Sequence, residues 1–138
     1  MEDVRNVLGE EPSKMLKSIL VCTTKDDEED IQSRNLFLVG VQANRKVDFG
    51  EVARYLGVHR TTVSMATQIQ VEQVTGFQIG SIPPFGLPRH IPVILDAAIQ
   101  EFDEVWCGTG KSTESIRVTL AELKMLSNAT FHSISKPA

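Results

Sequence analysis

Apolar positions along this chain come in short runs separated by polar punctuation. Ser18 to Thr24 (SILVCTT) and Asn35 to Gln42 (NLFLVGVQ) are two such runs and read as strands. The acidic stretch Asp26 to Asp30 between them reads as a solvated hairpin loop. Asp48 to Leu56 reads as a helix, with Asp48 as its cap, Glu51 three residues later and Gly57 to close it. Val93 to Leu95 is a strand ending at Asp96, and Glu104 to Cys107, Ser115 to Val118 and Thr130 to Ile134 are three more. Thr119 and Glu122 form a capping-box signature for a helix reaching Ser127. Strands dominate, helices are short and there is no regular βαβ order. The pattern predicts an α+β fold with a mixed, mainly antiparallel, barrel-like sheet.

One stretch supports two readings. VDFGEVARYLGVHRTTVSMATQIQ, Val47 to Gln70, has the spacing of a helix-turn-helix around Leu56-Gly57-Val58. Thr67 followed by Gln70 is a second capping box, which starts a new helix at Thr67 and runs it to about Val74, before Gly76. The intervening RTTVSMA favours a strand. On these residues alone, helix-strand-helix and helix-turn-helix compete. The strand-rich surroundings argue against a helical DNA-binding bundle.

The chain has 138 residues, enough for one domain with its own core. No apolar run is long enough to span a membrane, and MEDVRNVLGEEPSKM lacks a signal's apolar core. A cytoplasmic protein without a membrane partner is expected. The net charge is −4, and five of the acidic residues fall on Asp26 to Asp30, so the remainder is close to neutral. Cys22 and Cys107 lie in strand-like contexts and read as buried hydrophobes, not nucleophiles. His59, His90 and His132 have no metal-ligand spacing, and neither a metal nor a cofactor is expected. GTGKST, Gly108 to Thr113, lacks the first glycine of a phosphate-binding loop and precedes a strand, so it reads as a hairpin turn. Ile79 to Pro92, with four prolines and two glycines, is a rigid loop suited to the wall of a site.

Four segments in order carry a resemblance. Lys17-Ser-Ile-Leu-Val, the Val47-to-Gly57 helix, Thr75-Gly-Phe-Gln-Ile-Gly-Ser-Ile-Pro-Pro-Phe-Gly and Ile91-Pro-Val-Ile-Leu-Asp96 resemble the YbaK-like, prolyl-tRNA-synthetase-associated editing domains. The match runs from about Val4 to Ile134, as one domain over 1–138 that begins after the family's first strand. It implies helix-strand-helix over Val47 to Gly76, and a tRNA partner in place of duplex DNA. It further implies hydrolysis of mischarged aminoacyl-tRNA, typically tRNA for proline or a related tRNA bearing alanine, serine or cysteine. An aminoacyl-tRNA synthetase is an implied second partner. The alternative within the same fold is a non-catalytic tRNA- or synthetase-binding module.

By the same resemblance the catalytic positions are Lys17, Gly80 and Asp96. Asp96 would contact the substrate α-ammonium or hold the loop. The substrate-binding positions are Gly76, Phe77, Ser81, Ile82, Pro84, His90, Gly108, Gly110 and Lys111. Cysteine-specific members carry glycine where this chain has Ser81, and a serine before a Gly-Gly-Lys turn where it has Gly108-Thr109-Gly110-Lys111, so the amino acid removed stays open.

Overall fold

The computed structural model describes residues 2–3, 12–23, 35–87, 91–111 and 114–138. The acidic loop expected at 26–30 and the site residue expected at His90 lie outside the described residues. The elements in chain order are β1 (Glu2–Asp3), β2 (Leu16–Thr23), β3 (Asn35–Gln42), β4 (Arg45–Val47), α1 (Phe49–Leu56), β5 (Val63–Met65) and α2 (Gln68–Thr75). They continue with β6 (Val93–Asp96), β7 (Glu104–Gly108), β8 (Glu114–Thr119), α3 (Leu120–Ser127), β9 (Thr130–His132) and β10 (Ser135–Pro137).

The central sheet has the order β5-β2-β3-β6-β9. Pairing is antiparallel at β2–β3 and β2–β5 and parallel at β3–β6 and β6–β9. A second sheet, β1-β8-β7, and a small β10-β4 ladder are antiparallel throughout. The expected mixed, mainly antiparallel α+β architecture is therefore present. A parallel bridge between Met15 and Trp106 joins the first two sheets.

Both faces of the central sheet are buried, which is why its strands read as continuous apolar runs and not as alternation. The period of two survives underneath. Leu16, Leu20 and Cys22 of β2 join Leu36, Leu38, Val93 and Leu95 in one core. Val21 joins Val39, Val41 and Ile94 in the other. The first core is closed by α2 (Val71, Val74), β7 (Val105, Cys107) and α3 (Leu123). The second is closed by α1 (Val52, Ala53) together with Val47 and Ile134. Each such side chain contributes on the order of 1.5–3 kcal/mol of burial.

The helices start and stop as their residues dictate. Asp48 accepts the Glu51 N–H at 3.2 Å, and Gly57 ends α1 at φ 72°. Thr67 and Gln70 cap α2 reciprocally, and Gly76 closes it at φ 77°. Thr119 and Glu122 do the same for α3. The Glu122 carboxyl, accepting the Thr119 N–H, is held below its usual range.

The segment between α1 and α2 resolves the two sequence readings against helix-turn-helix. Val63–Met65 is a strand paired to β2. The expected strand starts late, because Arg60–Thr62 is a 3-10 turn. Its cause is local: the Thr62 N–H and hydroxyl both donate to the His59 carbonyl, at 3.0 and 2.8 Å. The strand expected over Thr130 to Ile134 also breaks, at 133–134. There the Asp96 carboxylate takes the Ile134 N–H, and the Ile134 carbonyl turns to Asp48. The GTGK segment joins β7 to β8 as a hairpin, and a strand follows it where a phosphate-binding loop needs a helix.

Candidate functional site

The site grows from an open stretch of strand edge. Along the side of β2 away from β3, β5 covers only Val21 to Thr23. Just beyond, the Leu20 carbonyl accepts the Ala66 N–H at 3.0 Å. At the other end, Met15 meets β7 through its bridge to Trp106. Between these two contacts the edge of β2 has no strand opposite it among the described residues. Lys17, half-buried, sits in this gap.

The loop after α2 closes over the gap. Gln78 to Ser81 form a tight turn: the Ser81 N–H and hydroxyl both donate to the Gln78 carbonyl, at 3.1 and 2.9 Å. Gly80 occupies the left-handed region at φ 90° and is exposed. The β7–β8 turn holds this loop from behind. The Gly110 N–H donates to the Ser81 carbonyl at 2.8 Å. A Cβ on Gly108 would lie 2.9 Å from that carbonyl oxygen, and one on Gly110 would lie 2.5 Å from the Phe77 ring.

Two small cavities meet here, and Lys17 and Gly80 line both. One, of about 220 Å³, lies between the β2 edge and α2; Leu20, Val71 and Ile82 form its buried floor. The other, of about 190 Å³, lies against β7 and β8 and adds Cys107, Gly108, Lys111 and Glu114. Lys111 Nζ is 3.9 Å from the Glu114 carboxylate and largely exposed. Cys107 is buried, and burial pushes its thiol up to about 12, so it is a neutral wall and not a nucleophile.

Larger hollows lie elsewhere. One of about 380 Å³ beside Phe37, Tyr55 and Asn128 has no acidic or basic lining residue. One of about 400 Å³ beside Trp106 is lined by Lys14 and Arg117 together with Glu101, Asp103 and Glu104, a net negative set that disfavours a phosphodiester.

Of the residues singled out from sequence, Lys17, Gly80, Ile82, Gly108 and Lys111 line the two cavities. Phe77, Ser81 and Gly110 form the support behind the loop. Gly76 is the cap of α2, and Pro84 is buried without lining either cavity. Asp96 is also buried and lines neither; its oxygens accept the Ile134 N–H at 2.9 Å and the Ala98 N–H at 3.4 Å. Sequence reading passed over Met65, Val71, Ile79 and Trp106, which also line the cavities. They are apolar, and nothing in the pattern separates them from ordinary core.

The chain is similar to several known proteins. A family model described as "Aminoacyl-tRNA editing domain" matches residues 1–126. A proline–tRNA ligase of Thermoanaerobacter sp. (strain X514) is 26% identical over 117 residues, 85% of this chain but 19% of the ligase. The Multifunctional Ser/Thr-tRNA deacylase ProXp-y of Escherichia coli (strain K12) is 28% identical over 81 residues, 58% of this chain and 47% of that protein. The chain thus spans about a fifth of the ligase and about half of the deacylase. A crystal structure of a candidate trans-editing enzyme for prolyl tRNA synthetase superposes with a TM-score of 0.81 at 26% identity, covering 96% of this chain and 76% of that one. A crystal structure of the hypothetical protein APE2540, at 20% identity and a TM-score of 0.79, shares the fold over 95% of this chain and 80% of its own. The chain belongs to the aminoacyl-tRNA editing domain family.

Proposed function

We propose that this chain hydrolyses the ester linking a wrong, small amino acid to tRNA, with tRNA for proline or a related tRNA as the carrier. The observation that carries the reading is the junction of two small cavities at Lys17 and Gly80, on an open strand edge. An aminoacyl ester is already reactive, so the protein mainly positions water and stabilises the oxyanion. Water adds to the ester carbonyl, the carbon–oxygen bond to the ribose breaks, and the ribose oxygen leaves with a proton. Backbone N–H groups around Gly80 are suited to the developing oxyanion. The Lys17 ammonium is suited to a phosphate of the CCA end as a point charge. The substrate's neighbouring ribose hydroxyl is suited to order the water. Asp96, already holding two backbone N–H groups, serves by fixing the chain between β6 and β10.

Small cavities also supply selection. A rigid loop braced by Gly108 and Gly110 cannot widen for a larger residue, which is the second sieve of editing. The aminoacylated CCA end is the partner, in the cytoplasm where translation runs, with a synthetase as the source of the error. The test is a deacylation panel of alanyl-, seryl-, cysteinyl- and prolyl-tRNA. Hydrolysis of at least one non-prolyl member with prolyl-tRNA spared is expected. Hydrolysis of none would move the chain to a binding module of the same fold.

A further inference from the structure

We propose that the cavity between β2 and α2 receives the adenine base of the terminal adenosine, while the ester lies in the adjoining cavity. The inference rests on the deacylase reading and assigns the two cavities to two parts of one substrate. In an antiparallel ladder, alternate residues turn their N–H and C=O to the same side. Leu20 turns its carbonyl to Ala66. Ser18, two residues earlier, therefore turns its N–H and C=O the same way, into the gap left between β5 and β7. Ser18 is 8% exposed and lines this cavity. Among the described residues its hydroxyl also has no hydrogen-bond partner.

A donor and an acceptor side by side on a strand edge complement adenine, which sets an acceptor ring nitrogen beside its N6 amino donor. The rest of the cavity suits the ring. Its floor is Leu20, Val71 and Ile82, and its rim is Met65 and Ile79, which are 50% and 49% exposed. A thioether and an aliphatic face are good partners for an aromatic plane. At about 220 Å³ the cavity is below the ~300–1,000 Å³ of pockets for drug-sized ligands and fits one planar base. The second cavity, with Lys17, Lys111 and Glu114, keeps the groups that suit ester, phosphate and α-ammonium. An alanine or serine side chain leaves most of the apolar cavity unfilled, which favours the base as its occupant.

The test uses minihelices carrying the amino acid through a 3′-amide, which resists hydrolysis, and ending in adenosine or inosine. Dissociation constants are measured for the wild type, Met65→Asp and Ile79→Asp, with melting curves to confirm folding. Wild type is expected to bind the adenosine end about five- to tenfold more tightly than the inosine end, whose donor and acceptor are reversed. Both variants are expected to lose that preference. Equal affinity for the two ends in wild type would overturn the proposal. So would variants that re-rank alanyl, seryl and cysteinyl amides but keep the base preference, which would give the cavity to the amino acid side chain. Those outcomes leave the deacylase reading standing; it fails separately, when no ester in the panel is hydrolysed.

Discussion

The Ser81 carbonyl oxygen accepts the Gly110 N–H at 2.8 Å, so the loop over the cavities is bonded to the β7–β8 turn. The same oxygen lies 2.9 Å from where a Cβ on Gly108 would stand. Two glycines of the GTGK turn thus set the position of the loop over the cavities by close approach. Gly110→Ala is expected to cost about 1–3 kcal/mol, from the clash with Phe77 and the left-handed φ of 99°. Adding Phe77→Leu should recover the steric part and leave about 1 kcal/mol of backbone strain. Urea unfolding of the single and double variants measures both. Full recovery would show that φ at Gly110 carries no cost.

Lys17 is expected to separate activity from stability. Lys17→Ala is expected to slow single-turnover deacylation by about 2–4 kcal/mol in the barrier, as loss of a preorganised charge donor does. Its stability should stay within about 0.5 kcal/mol of wild type. Lys17→Arg should recover only part of the rate, because a planar fork replaces a point charge. Equal losses of rate and fold would make Lys17 a structural residue.

Asp96 should behave in the opposite way. Asp96→Ala removes the acceptor for the buried Ile134 N–H and is expected to cost about 1–3 kcal/mol of stability. Rate per folded molecule should remain close to wild type. A large rate loss in Asp96→Asn with the melting temperature unchanged would place the carboxylate in the chemistry.

Cys107 gives a pH dependence with a definite sign. Its thiol is raised from 9.0 to about 12 by burial, so the unfolded chain ionises first as pH rises. Stability from this group is complete below pH 9 and falls above it, by up to about 1.4 kcal/mol per pH unit. Unfolding curves between pH 9 and pH 11 should show this slope, and Cys107→Ala should reduce it. Deacylation by Cys107→Ala should stay within about threefold of wild type, since no thiolate takes part.

Much of the fold was legible because its signals are local. Thr67 with Gln70 and Thr119 with Glu122 mark helix starts that the structure places at those residues. The three-residue strand β4, Arg-Lys-Val, gave no alternation to read, and its partner β10 is equally short. The break before β10 depends on Asp96, 38 residues away from Ile134, which no local pattern carries. The site divides in the same way. Gly80, Gly108 and Lys111 stand out through turn chemistry and the family pattern. Met65, Val71 and Ile79 are ordinary apolar residues, and only the tertiary gap at Ser18 turns them into a cavity lining.

The most direct test of the central claim is single-turnover hydrolysis of alanyl-, seryl-, cysteinyl- and prolyl-tRNA by wild type and Lys17→Ala, beside their melting curves. The expected result is hydrolysis of a small non-prolyl ester by wild type, sparing of prolyl-tRNA, and a rate lower by a factor of roughly 30 to 1,000 in a Lys17→Ala protein that melts as wild type does. Hydrolysis of no ester, or a Lys17→Ala variant as fast as wild type, would contradict it.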